Sequence, residues 1–96
     1  MKYLSIFGST GSIGTNTLNI VEMFPERFAI KVLAAKTNAT LLAEQIERFS
    51  PEIAVVFDEK VALELKNTLP YNTSTEILCG EDCYRAAAEQ IGRAHV

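Results

Sequence analysis

Lys2-Tyr3-Leu4-Ser5-Ile6-Phe7-Gly8-Ser9-Thr10-Gly11-Ser12-Ile13-Gly14 is the stretch on which the architecture turns. Residues 2–7 form a short, mostly apolar run, too short for a helix and suited to a strand covered on both faces. The run stops at Gly8. From Thr15 to Phe24 the apolar residues Leu18, Ile20, Val21, Met23 and Phe24 recur near a period of 3.6, and Pro25 ends the pattern, which predicts a helix. The glycines at 8, 11 and 14 therefore join a strand to a helix.

Reading outward, the same alternation repeats. Residues 29–35 carry the strand signature again, and Leu42, Ile46 and Phe49 mark one face of a helix that ends at Ser50-Pro51. Ile53 to Phe57 is β-branched and uncharged, a third strand, and Val61, Leu65 and Leu69 predict the next helix before Pro70. Tyr71 to Thr75 reads as a polar surface loop, Glu76 to Cys79 as a fourth strand, and Glu81 to about Gln90 as a fourth helix. Four strand-then-helix units with nearly uncharged strands require crossover helices over a parallel sheet. The expected fold class is α/β, a doubly wound, Rossmann-like parallel sheet, incomplete at four β-α units. Residues 1–90 are expected to be the N-terminal part of such a domain. Residues 91–96 (Ile-Gly-Arg-Ala-His-Val) break the pattern and resemble the translation of a sequencing adapter, so they are set apart as a tail.

The glycine turn carries the chemistry. Gly8 permits a tight exit from the strand, Gly11 lets the backbone approach a pyrophosphate with no Cβ in the way, and Gly14 lets the helix pack close to the strand. Free amides in the first helical turn point at the phosphates, and the helix dipole adds partial positive charge. Thr10 and Ser12 supply hydroxyl donors, and Ile13 supplies a backbone amide while its side chain is expected to pack inward. The spacing is Gly-x-x-Gly-x-x-Gly, one residue longer than the usual fingerprint, so its place between strand and helix matters more than the glycines alone.

The end of the second strand discriminates between cofactors. An NAD site places an Asp or Glu there, about 20 residues past the glycines, to accept the ribose 2′-hydroxyl. This chain has no carboxylate from Arg27 through Ala43. It offers Lys36, Thr37 and Asn38 instead: an ammonium, a hydroxyl and an amide for a 2′-phosphate, with no acid to repel it. NADP is favoured over NAD. The alternative is that Lys36 is a solvated loop lysine and Asn38 or Thr40 a helix cap.

Composition sets the outer bounds. The chain has 96 residues, 48% hydrophobic and 22% charged, which fits one globular domain at most. Its net charge of −3 argues against a nucleic-acid partner. Residues 1–43 balance at +2 and residues 44–96 at −5, which directs an anionic ligand to the first half. No apolar run reaches the roughly 18 to 20 residues needed to cross a bilayer, so the expected location is the cytoplasm. Cys79 and Cys83 are too few for a disulfide framework and are expected to be small buried hydrophobes. His95 stands alone in the tail, while Asp58, Glu59, Glu81 and Asp82 read as favourable charges at helix starts.

Taken together, the heptapeptide Gly-Ser-Thr-Gly-Ser-Ile-Gly at 8–14, Pro25-Glu26-Arg27-Phe28, Ala35-x-x-Asn38, Glu44-Gln45 leading to Phe49-Ser50-Pro51, and Glu76-Ile77-Leu78 with Gly80 resemble 1-deoxy-D-xylulose 5-phosphate reductoisomerases. The resemblance implies an NADPH-dependent oxidoreductase of non-mevalonate isoprenoid biosynthesis. Such an enzyme rearranges a phosphorylated sugar, reduces the product to 2-C-methyl-D-erythritol 4-phosphate, and acts as a homodimer with a divalent metal, Mg²⁺ or Mn²⁺. It also implies that Thr10, Gly11, Ser12 and Ile13 bind the cofactor phosphates and that Lys36, Thr37 and Asn38 surround the adenosine ribose phosphate. The family often reads Gly-Lys-Asn where this chain has Lys36-Thr37-Asn38. Its metal ligands, substrate-phosphate site and lid fall beyond residue 96, so no catalytic residue and no metal ligand is assigned. Two other readings stay open at this point: another NADP-dependent oxidoreductase such as a semialdehyde dehydrogenase, and a non-catalytic nucleotide-binding module.

Overall fold

The computed structural model describes residues 1–70 and 73–94. Strands and helices alternate: β1 (Lys2–Phe7), α1 (Ser12–Met23), β2 (Phe28–Ala34), α2 (Ala39–Phe49), β3 (Ile53–Val56), α3 (Glu59–Thr68), β4 (Glu76–Cys79) and α4 (Glu81–Ala94). All three strand pairings are parallel, and the sheet order is β1-β2-β3-β4. The sequence pattern places these elements to within a few residues. The largest differences are α1, which starts at Ser12 rather than Thr15, and α4, which runs to Ala94 rather than stopping near Gln90. Tyr71, Asn72 and His95 lie outside the described residues.

Because successive strands are neighbours, three crossovers of one hand stack their helices on one face of the sheet. Leu18 and Val21 of α1, Leu42 and Ile46 of α2, and Val61 and Leu65 of α3 pack there against Ile6, Ile30, Leu33, Ala54 and Val56. The other face is covered by α4, whose Tyr84 meets Val32, Ala34 and Val55. The sheet is thus wound on both sides, as the nearly uncharged strands require. Leu33, Leu42 and Leu65 are wholly buried, each stabilising the fold by about 1.5–3 kcal/mol relative to an exposed side chain.

Side chains alternate faces along each strand, yet Ile30 and Leu33 share one. A β-bulge explains the change of parity: Leu4 pairs with Ile30 while Ser5 pairs with Val32, leaving Lys31 as the extra residue. Helix α2 ends at Ser50, whose φ of 47° is left-handed, and Pro51 follows. Helix α3 is capped by Asp58, whose Oδ1 accepts from the Val61 amide at 2.9 Å. Asp58→Ala should cost about 1 kcal/mol in chemical denaturation; an unchanged midpoint would assign Asp58 some role other than capping. Cys79 and Cys83 are half-buried rather than buried, each packed at the margin of a different face. No helix is long and apolar enough to cross a membrane among the described residues.

Candidate functional site

Parallel pairing of β1 with β2 brings the two expected ligand-binding segments to one edge. Phe7 lies opposite Ala34, and the amides of Gly8 and Ser9 both donate to the Ala34 carbonyl, at 2.8 and 3.0 Å. The glycine turn is therefore anchored two residues before Lys36, at the carboxyl ends of the strands, where α/β sheets bind ligands.

Within the turn each glycine has a separate reason. Gly8 adopts φ +77°, a region that disfavours any side chain, and reverses the chain out of β1. Gly14 is held by close approach: a Cβ there would lie 2.2 Å from the Gly8 carbonyl oxygen and 2.7 Å from the Ser9 Cα. Gly11 is the N-cap of α1 at φ −82°, and a Cβ on it would meet only the Gly8 oxygen, at 3.4 Å. Its freedom is on the solvent side, toward an incoming ligand.

The amides of Ser12, Ile13 and Gly14 form the first turn of α1 and have no acceptor within the helix. No side chain caps them, and the first turn carries no acid. Thr15 Oγ1 donates to the carbonyls of Gly11 and Ser12 at 2.9 and 3.0 Å, which ties down the turn without using its donors. The result is a cluster of free N–H groups at the positive end of a helix dipole, a cradle for an anion. Thr10 is half-buried and Ser12 exposed beside it. Ile13 departs from expectation: its side chain is 84% exposed. Helix α1 buries the stripe Gly14, Leu18 and Val21, and Ile13 falls with Ile20 on the outward face.

Lys36, Thr37 and Asn38 follow β2 and are exposed. Asn38 Oδ1 caps α2 by accepting from the Leu41 amide at 3.1 Å, so its Nδ2 remains available. Lys36 Nζ sits 5.7 Å from the centre of the Phe57 ring. Phe57 in turn meets Tyr84 edge-on at 5.4 Å, and Tyr84 packs on Phe7 at 4.4 Å. This aromatic cluster walls the strand ends on the α4 side, and burial pushes the Tyr84 phenol up, so it stays neutral at ordinary pH. Asp58 is committed to its cap, and Glu81 and Asp82 pair loosely with Arg85 at 3.5 and 3.7 Å. Among the described residues no three His, Cys, Asp or Glu side chains are grouped to hold a metal ion. An apolar cavity of about 170 Å³ between the sheet and α4, lined by Val32, Val55, Leu78 and Cys83, offers no charged group and reads as loose packing.

The pattern in the sequence did not single out Ser9 or Gln45. Ser9 is wholly buried under the turn, and Gln45 Nε2 donates to its carbonyl at 2.8 Å across 36 residues. Ser9 Oγ and Gln45 Oε1 have no hydrogen-bond partner among the described residues. The available signal was a glutamine on the apolar stripe of Leu42, Ile46 and Phe49, where a hydrophobic residue is expected.

A parallel sheet covered on both faces, with an amide-lined glycine bend at its carboxyl edge, makes this chain a Rossmann-type α/β segment by architecture. Residues 4–96 match the family described as 1-deoxy-D-xylulose 5-phosphate reductoisomerase, and the chain belongs to that family. A reductoisomerase of this name from Desulfosudis oleivorans is 50% identical over 92 residues, which are 96% of this chain and 24% of that protein. A chloroplastic one from Mentha piperita is 48% identical over 81 residues, 83% of this chain and 17% of that protein. The solved reductoisomerase from Zymomonas mobilis in complex with NADPH superposes with a TM-score of 0.83 at 32% identity, covering 91% of this chain and 23% of that one. A second solved reductoisomerase, holding NADPH, fosmidomycin and magnesium, gives a TM-score of 0.74 at 26% identity over 86% of this chain and 20% of that one. The chain spans about a quarter of the length of the curated relatives it matches.

Proposed function

We propose that this chain is the N-terminal NADPH-binding segment of a 1-deoxy-D-xylulose 5-phosphate reductoisomerase. In this reading the whole enzyme works in the cytoplasm as a homodimer. It converts that phosphorylated sugar to 2-C-methyl-D-erythritol 4-phosphate. The observation that carries the reading is the uncapped first turn of α1, with Gly14 pressed against the Gly8 carbonyl so that the amides of residues 12–14 form the floor of the bend. NADPH, when bound, supplies the hydride for the reduction. The segment's own residues do the holding: Ser12, Ile13 and Gly14 present amides to the pyrophosphate, Gly11 keeps its approach free of a Cβ, Thr10 and Ser12 add hydroxyls, and Gly8 sets the bend.

Lys36, Thr37 and the free amide nitrogen of Asn38 are assigned to the 2′-phosphate. The donor set suits the group, since no carboxylate lies between Arg27 and Ala43 to repel it. Lys36 is free to leave the Phe57 ring for a doubly charged phosphate, an exchange of a weak cation–π contact for a charge-assisted hydrogen bond. The divalent metal, Mg²⁺ or Mn²⁺, is assigned to residues outside 1–96. The two half-buried free thiols suit a reducing compartment.

Calorimetric titration of the full-length enzyme with NADPH and NADH tests the assignment. Lys36→Glu should weaken NADPH by about 10- to 100-fold, the worth of one hydrogen bond to a charged group, while NADH changes little. Equal losses for the two cofactors would remove Lys36 from the 2′-phosphate.

A further inference from the structure

We infer that Gln45 is a positioning residue that aims the Thr10 amide at the cofactor's pyrophosphate, an inference that rests on the nucleotide-binding reading of the glycine bend. Three observations converge on it. Gln45 Nε2 donates to the Ser9 carbonyl at 2.8 Å, and this fixes the plane of the Ser9–Thr10 peptide. Every peptide bond described is trans, so the Thr10 N–H must point opposite to the Ser9 C=O, away from α2. That N–H makes no hydrogen bond among the described residues, although the neighbouring amides of Gly8, Ser9 and Gly11 all do. Thr10 is thus the one loop amide between Gly8 and Gly11 left for a ligand, and Gln45 decides its direction.

The surroundings exclude a purely packing role. Gln45 is 5% exposed, and both its Oε1 and the Ser9 Oγ are buried with no partner among the described residues. A leucine or methionine on the same stripe would fill the space but leave the buried Ser9 carbonyl without its donor. A buried amide that satisfies only one of its two ends is kept for what that end does, and it holds one carbonyl of the phosphate loop.

The test uses full-length enzyme, NADPH, and adenosine 2′-phosphate, which has the 2′-phosphate but no pyrophosphate. Gln45→Met keeps length and apolar volume and deletes the donor. It should weaken NADPH by about 10- to 100-fold and leave adenosine 2′-phosphate binding unchanged. Gln45→Glu places a carboxylate against the Ser9 carbonyl, so its NADPH affinity should be poor at pH 8. It should recover toward pH 5, where the protonated acid donates again; the methionine variant should show no such recovery. Wild-type NADPH affinity in Gln45→Met, parallel loss of both probes, or a pH profile for Gln45→Glu no different from that of Gln45→Met would each overturn the assignment. Failure of the unaltered enzyme to bind NADPH would instead defeat the reading on which it rests.

Discussion

Gly14→Ala is expected to be the most damaging single-methyl change in the chain. The added carbon would lie 2.2 Å from the Gly8 oxygen and 2.7 Å from the Ser9 Cα, both backbone atoms that no rotamer change can move. Relief requires α1 to retreat from the bend, which loosens Leu18 and Val21 from the sheet below. Overpacking of this kind costs about 3 kcal/mol, a large fraction of a typical stability of about 5–15 kcal/mol. Thermal denaturation followed by circular dichroism should show a fall of several degrees, with NADPH affinity lost in parallel because the cradle itself is displaced. A variant that melts and binds like the parent would mean that α1 does not press on the loop.

Gly11→Val should give the opposite signature. Its φ of −82° is open to any residue, and a Cβ would meet only the Gly8 oxygen at ordinary contact distance, so the fold accommodates it. Valine is a poor N-cap, which accounts for about 1 kcal/mol of lost stability. The isopropyl group would stand where a pyrophosphate must approach the amides of residues 12–14. A loss of NADPH affinity of at least about 100-fold, or about 2.7 kcal/mol, is expected by calorimetry. Undiminished binding would show that the phosphates do not pass over Gly11. The pair separates the two duties of the bend, since one glycine is needed by the fold and the other by the ligand.

Much of this architecture is legible in the residues. Strands of four to seven residues with at most one charge each, punctuated by glycine and proline, leave few alternatives to a parallel sheet. Asn38 and Asp58 announce their helices by being short polar residues just ahead of an apolar period. Three things escape such a reading, each for a physical reason. The start of α1 is hidden because Gly11 and Gly14 are weak helix formers, so periodicity shows only from Leu18. Ile13 looks like core because hydrophobicity says nothing of which way a first-turn side chain points, and it points outward. Gln45 is visible as part of the Glu44-Gln45 pair in the family resemblance and as an oddity on an apolar stripe, but neither gives it a role. Its meaning depends on a carbonyl 36 residues away, a tertiary fact that no local pattern encodes.

The surplus residue in β2 ties the length of that strand to the chemistry at its end. Lys31 is solvent-exposed and stands outside the ladder. If it were instead drawn into the ladder opposite Ser5, strict alternation from Ile30 onward would turn Leu33 and Ala35 toward α4 and Val32 and Ala34 toward the opposite helices. The Ala34 carbonyl that anchors Gly8 and Ser9 would then face elsewhere. The bulge that holds this lysine out of the pairing therefore sets the phase in which one strand delivers its ammonium, hydroxyl and amide beside the other strand's bend.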